Sequence, residues 1–422
     1  MFIGGQKMVA GAAHMAPYLW RLACYYRGNT ACRYNKEVPI RSGLVRRSMH
    51  KIDFTSNAAP TLGIELELAL VDAETMALSN SIDRVLERVP ESLEDRIKPE
   101  LMQSYVEINT GVCRTVDDAQ KDLLERLQFL EGITDDLGLR LYWSGTHPFS
   151  PWRDQEVTHN ERYFRLVELL QDMARQLVCF GLHVHVGVNS GDKAVMICDR
   201  ILRHLPTLLA LSSNSPWWEN RISGLRSHRA KIMEGLPTAG LPPLMRNWSE
   251  YVWLVGHMID TGFINSIREI WWDVRPHHNF GTVEVRMCDV LGNLEDNLAL
   301  AAFIQCLIKA LSDEIDRGTY QHDCHPMMVR QNKWRACRFG MEAELIDPLT
   351  FESRNVRTIM EKLVPDLRPI AEELECSAWL ERVLEFSKSK SWADRQLQVH
   401  LQSRSLVDVV RHFTEQSRVT PV

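Results

Sequence analysis

A chain of 422 residues with 45% apolar side chains can hold one large domain or two and can bury a substantial core. A formal charge of −6, with aromatics that are not interleaved with basic clusters, gives no reason to expect a nucleic-acid surface. Ten cysteines without a CxxC pair fit a reducing compartment, and no run of about 18 apolar residues reads as a membrane span, so a soluble, cytoplasmic protein is expected.

Residues 1–50 carry eight Lys or Arg against the single acid Glu37 and show no core periodicity. The composition resembles a targeting segment, but His14 and Pro17 break its apolar stretch. The expectation is a basic extension outside the fold, with a catalytic domain over 51–422 whose C-terminal part is helical. "TLGIELELALVD" (61–72) alternates Leu and Ile against Glu65 and Glu67 and reads as a strand. "SYVEINTG" (104–111) repeats that pattern around Glu107. Thr115 and Asp118 form a candidate capping box for a helix with Leu123, Leu127, Leu130 and Leu137 at helical spacing. A short strand at "LRLYWSGTHP", one helix over 161–177 and the strand "VCFGLHVHVGV" follow, the last carrying His183 and His185. A helix over 192–212, a loop over 213–248 rich in Pro, Gly and Trp, further helix, the strand "GTVEVRMCDV" and a long helix from Leu294 come next. Beyond about 326 only helical patterns are read. The absence of a regular βαβ beat, together with polar-out alternation, favours an α+β domain: an antiparallel sheet with one open face and helices behind it.

Residues two apart on a strand point the same way, so Glu65 with Glu67, His183 with His185, and Glu284 with Arg286 each share a face. One acid-bearing strand is ordinarily a solvated face. Three of them, with an HxH strand, imply carboxylates gathered in one concavity, where they must either protonate or collect cations. Carboxylates with one imidazole suit Mg²⁺ or Mn²⁺ better than Zn²⁺. Glu100 and Glu107 have opposite parity, so both reach that face only through a bulge or turn between them. Arg226 and Arg229 in "LRSHRAKI" and Arg275 in "IWWDVRP" offer guanidiniums for phosphate. No GxxxxGK[ST] loop and no strand-linked GxGxxG occurs, so a nucleotide would have to be held through metal ions and side chains.

Together, "GIELEL", "ELMQSYVEINTGVC", "GLHVHVGV", "RSHRAKIMEGLPTAGLPP", "IWWDVRPHHNFGTVEVRMCDV" and "RACRFGMEAELIDP" resemble the glutamate-cysteine ligase type 2 family, the bacterial ATP-dependent carboxylate-amine ligases. The resemblance runs from about residue 61 to near the C-terminus, with the motifs in family order. It implies a fold similar to glutamine synthetase, a curved antiparallel sheet forming a funnel with metal ions between the sheet and the ATP phosphates. Carried over by motif, Glu65, Glu67, Glu107, His183 and Glu284 fall on metal-ligand positions and Glu100 on a weaker one. Arg286 falls on a phosphate-contacting position. With Arg286 and Arg229 as candidate catalytic residues, and Arg226, Arg275 and His185 as candidate cofactor-binding residues, the expected reaction joins a carboxylate to an amine. ATP would activate the acid as an acyl phosphate, with glutamate and cysteine as the expected pair and Mg²⁺ or Mn²⁺ as the ion. Two other readings stay open: a metal-dependent amide hydrolase using the HxH strand, and a non-catalytic homologue. The amine acceptor is not fixed by any motif, and a homodimer is left open.

Overall fold

The computed structural model describes residues 51–319, 325–348 and 350–420, which fall in one unit, His50–Val422. The expectation for residues 1–50 lies outside the described residues.

Seven strands build the main sheet: β1 (Leu62–Asp72), β2 (Ile97–Pro99), β3 (Tyr105–Asn109), β4 (Leu139–Tyr142), β5 (Gly181–Gly187), β6 (Val274–His277) and β7 (Thr282–Asp289). Their order is β6-β7-β5-β1-β3-β2, with β4 pairing the far end of β1, and every pairing is antiparallel. One face is apolar because alternation puts Ile64, Leu66 and Leu68 of β1, Val106 and Ile108 of β3, Leu182, Val184 and Val186 of β5, and Val283 and Val285 of β7 together, all buried.

Helices cover that face. α1 (Val116–Asp136) packs on β1, β3 and β4. Its Thr115 capping box is present: the hydroxyl accepts from Asp118 N and the Asp118 carboxylate accepts from Thr115 N. α2 (Glu161–Leu170) lies on the other side, bordering the open face with Tyr163 and Leu166. α3 (Gly191–Arg200) packs on β6, and α4 (Leu205–Ser212) on β7. After α5 (Trp248–Asp260) comes α6 (Leu294–Asp316), whose Leu298 to Ile308 run is wholly buried between β5 and the helices that follow. α7 (Pro326–Phe339) is followed by α8 (Val356–Glu373) and α9 (Ser377–Lys388), which pack on α6. α10 (Trp392–Ser403) and α11 (Leu406–Gln416) close the chain, and α11 reaches β4.

Four local readings differ from the structure. The loop expected over 213–248 holds the short helix Arg229–Met233 and a small ladder of Trp217–Trp218 with Arg221–Ile222. The helix expected over 161–177 stops at Leu170, because Gln171 takes φ 51°, outside helical space, before a short turn over Asp172–Arg175. The helix expected over 192–212 is two helices joined by a 3₁₀ turn at Ile201–Arg203. Pro206 has no N–H to continue the ladder and takes the first turn of α4 instead. Beyond 326 the chain is not all helical: a two-stranded ladder, β8 (Glu344–Ile346) with β9 (Ser353–Asn355), interrupts it.

Candidate functional site

The polar face of the sheet carries its charged side chains in three rows, because antiparallel register sets them opposite one another. Across β6, β7, β5 and β1, Arg275 faces Glu284, Glu284 faces His185, and His185 faces Gly63. One pleat along, His183 faces Glu65, which faces Asn109. In the third row Glu67 faces Glu107, which faces Lys98. Glu100 joins this face through the turn that links β2 to β3, which is how two acids of opposite parity meet.

The contacts are close. His183 Nδ1 lies 2.9 Å from Glu65 Oε2, and His185 Nε2 lies 3.3 Å from Glu65 Oε1 and 3.9 Å from Glu284 Oε1. The other ring nitrogen of His185 lies 3.1 Å from the Thr282 hydroxyl, which fixes the ring's orientation. The Gly181 amide donates to Glu67 Oε2 at 2.6 Å, and the Asn109 amide donates to Glu107 Oε1 at 2.8 Å. Three groups have ligand atoms mutually within 4.8 Å: Glu65 with His185 and Glu284, Glu65 with Glu107 and His183, and Glu67 with Glu100 and Glu107. Glu65 and Glu107 each belong to two of them, so the groups form one continuous chain of donors.

Charge is unevenly balanced along that chain. Arg275 grips Glu284 with two nitrogens, at 2.8 and 3.3 Å, and Arg286 bonds the same carboxylate. Burial raises the Glu284 carboxyl, but these two guanidiniums and His185 outweigh it and hold the group well below the usual carboxylate range. Burial likewise raises Glu65, and bonds from His183 and His185 bring it well below. Of the imidazoles, His183 is pushed down by burial and by Arg286. His185 is raised, because Glu284 and Glu65 overcome its burial. Glu100 and Glu107 have no basic partner of that kind. Burial and the Glu67 charge push Glu100 up to about 7; burial and the Glu65 and Glu100 charges push Glu107 well above its ordinary value. Ligand atoms of these two carboxyls and of Glu67 lie within 4.8 Å of one another, so the three acids press on one small volume. The donor set therefore fits a hard divalent ion: buried carboxylate oxygens and imidazole nitrogens, no thiolate, and more negative charge than the arginines neutralise.

A cavity of about 570 Å³ opens over the rows and is lined by Glu65, Glu67, Glu100, Glu107, His183, Arg275, Arg286 and Arg229. Arg286 shares the face of Glu284 by alternation, two residues along β7. Its N–H continues the β6–β7 ladder with a bond to Asp273 O at 2.8 Å, and beyond Val285 the β7–β5 register shifts, β7 spending one more residue than β5 before Cys288. Arg229, from the short helix Arg229–Met233, lies across the start of β5. Its guanidinium donates to the carbonyls of Met287 and Arg286, at 3.1 and 3.2 Å, and occupies the space a side chain at Gly181 would need. Glu284 and His185 do not themselves line the cavity but support its wall.

Arg226 is not brought to this site. Its Nε pairs with Asp394 of α10 at 2.6 Å, and its stem lies against Gly340, so the arginine three residues from Arg229 faces another part of the molecule. The cavity also has walls that the alternation argument did not find: Lys98, Arg162, Tyr163, Arg268, His277 and Phe280. Lys98 is legible once the β2–β3 register is known. The stretch "PHHNFG" between Arg275 and Glu284 was a signal for His277 and Phe280, since a hairpin loop joining two strands of the site must border it.

The model of glutamate-cysteine ligase family 2 matches residues 61–412. A Gloeobacter violaceus protein named "Putative glutamate--cysteine ligase 2" is 43% identical over 361 residues, covering 85% of this chain and 97% of that one. A Thermobifida fusca protein of the same name is 38% identical over 371 residues, 87% of this chain and 93% of that one. Among solved structures, the glutamate–cysteine ligase of Francisella tularensis in complex with AMP superposes with a TM-score of 0.63 at 14% identity, covering 86% of this chain and 90% of that one. The bifunctional glutathione synthetase of Pasteurella multocida also gives 0.63 at 14% identity, over 85% of this chain and 52% of that one. At such identity these structures speak to the fold alone. The strand motifs, the helix-backed antiparallel sheet and the matched span agree: the chain belongs to glutamate-cysteine ligase family 2.

Proposed function

We propose that the protein is an ATP-dependent carboxylate–amine ligase that joins the γ-carboxylate of glutamate to the amine of cysteine, releasing ADP and phosphate. The observation that carries this reading is the continuous chain of acidic donors on one face of the sheet, with Arg286 beside it. Glu65, Glu67, Glu100, Glu107, His183 and Glu284 would hold Mg²⁺ or Mn²⁺, which when bound would supply positive charge to offset that of the ATP phosphates. The names of relatives that match over most of both chains support the same class and the same pair of amino acids.

A carboxylate is a poor electrophile because an amine cannot displace oxide from it. In the proposed route the acid's oxygen takes the γ-phosphoryl group as the bond to ADP breaks. The amine then attacks the acyl carbon, phosphate leaves, and the nitrogen gives up its proton. Arg286 would meet the charge on the transferring phosphoryl group, held in place by its bond to Glu284. Arg275 locks Glu284 in place, His185 braces Glu65, and Arg229 backs the wall that carries Arg286.

ADP and phosphate release, measured with Mg²⁺ and ATP across a matrix of amino-acid pairs, tests the reading. Equimolar ADP, phosphate and amide with glutamate and cysteine is the expected result. AMP and pyrophosphate would contradict the acyl-phosphate route. Nucleotide-independent amide hydrolysis lost on changing His183 or His185 would replace the ligase by a hydrolase.

A further inference from the structure

The cavity has two unlike ends. Beside Glu67 and Glu107 its walls are Lys98, Arg162 and Tyr163, groups suited to a small charged molecule. Beside Arg275 they are rings. His277 and Phe280 stack face to face, with centroids 4.1 Å apart and planes 15° from parallel. His185, in the first charged row, abuts both at 5.4 and 5.6 Å, close to perpendicular. Phe280 is nevertheless 57% exposed.

A lone exposed phenylalanine is ordinary on a protein surface. This one is held in place. The Asn57 amide donates to the carbonyls of Phe280 and Gly281, at 2.6 and 2.9 Å, and Thr55 N donates to His278 O at 2.9 Å. Gly281 takes φ +63°, and a side chain there would collide with the Thr55 carbonyl. The segment before β1 thus clamps the β6–β7 loop from behind, and the ring stack is fixed at the rim of a cavity whose floor is polar.

We propose that this loop is the base-binding subsite of the cavity, with Phe280 as the platform on which the purine of the nucleotide stacks. The proposal rests on the ligase reading. Neither glutamate nor cysteine has a ring to place there, whereas a purine extends the Phe280–His277 stack by one more face. The ring end lies next to Glu284, Arg275 and the row that leads to Arg286, so a nucleotide seated there directs its phosphates along the charged face and leaves the Lys98–Arg162 end to the amino acids.

The test is calorimetric binding of a non-hydrolysable ATP analogue to the full chain with Mg²⁺, set beside inorganic tripolyphosphate, which has the charge and no base. Phe280→Ala should weaken the analogue about ten-fold or more, in line with the loss of one base–aromatic stack, and leave tripolyphosphate nearly unchanged. Phe280→Trp should restore the analogue. Equal affinity of Phe280→Ala and the unaltered protein for the analogue would overturn the platform while leaving the ligase reading intact. Equal weakening of both ligands would also overturn it, since the ring would then only shape the loop. Failure of the unaltered protein to bind the analogue at all would remove the ligase reading and the platform together.

Discussion

Arg286 and His147 show how much one side chain's surroundings decide. Arg286 shares Glu284 with Arg275 and lies half-buried at the cavity wall, so its position is set before any substrate arrives. Arg286→Ala should lower kcat about 10²-fold or more, judged from the loss of comparable electrostatic groups, with a smaller change in KM for glutamate. Arg286→Lys should recover only part, because a point charge cannot span what a fork spans; steady-state kinetics on the three proteins checks this. His147 lies far from that chemistry. Nε2 donates to Met76 O at 2.9 Å and Nδ1 accepts from Ser150 N at 3.0 Å, so the buried ring is neutral in one tautomer and burial pushes its pKa down to about 3. A histidine depressed on folding contributes stability that is complete above its unfolded pKa of about 6.5 and is lost as pH falls toward the folded value. Between about pH 6.5 and 5 this one group should remove about 2 kcal/mol. Denaturant midpoints should fall over that window, and His147→Gln should flatten the slope while lowering stability at pH 7. The convergence of Glu65, Glu67, Glu107, His183 and Glu284 was readable beforehand because a period of two leaves a strand side chain only two directions. Arg226 was not readable: it sits three residues before Arg229 in a loop, and no periodicity says which way a loop side chain turns.

The strands of the site are legible as elements because each carries its own alternation, whereas their junctions are not. The broken helices at Gln171 and Pro206 and the β8–β9 ladder lie where local pattern and tertiary need part company. The β7 bulge is another such place. The start of β5 offers a direct test. Gly181 leaves room for Arg229 and gives its N–H to Glu67. In Gly181→Ala the new methyl must push the guanidinium off the Met287 and Arg286 carbonyls. Turnover should fall at least about ten-fold, with a stability loss of about 1–3 kcal/mol from the unmade bonds. Adding Arg229→Met should return part of the stability and none of the turnover, a non-additivity that a thermal melt and a rate assay read side by side.

At the scale of the whole molecule the acidic chain of donors is a liability without its counter-charge. Burial and the neighbouring carboxylates push both Glu100 and Glu107 up, and the sheet must hold them together. Mg²⁺ or Mn²⁺ should stabilise the fold by mass action, by about 2.7 kcal/mol at a hundred times the dissociation constant, and so raise the melting temperature, and a chelator should reverse the shift. Absence of any shift would remove the cation from these rows. The rows have a further consequence, in time rather than in energy. Glu65 and His183 are 118 residues apart in the chain, so the rows, unlike their local pairs such as Arg275 with Glu284, are completed only after long loops have closed. Refolding from denaturant should be slow in chelator and faster when the ion is added. If the ion were to slow unfolding alone, the rows would close after the rate-limiting barrier instead of on it. A refolding rate that rises with the ion would make the cation a folding partner as well as a reagent, and a cell short of it would then make less of this protein.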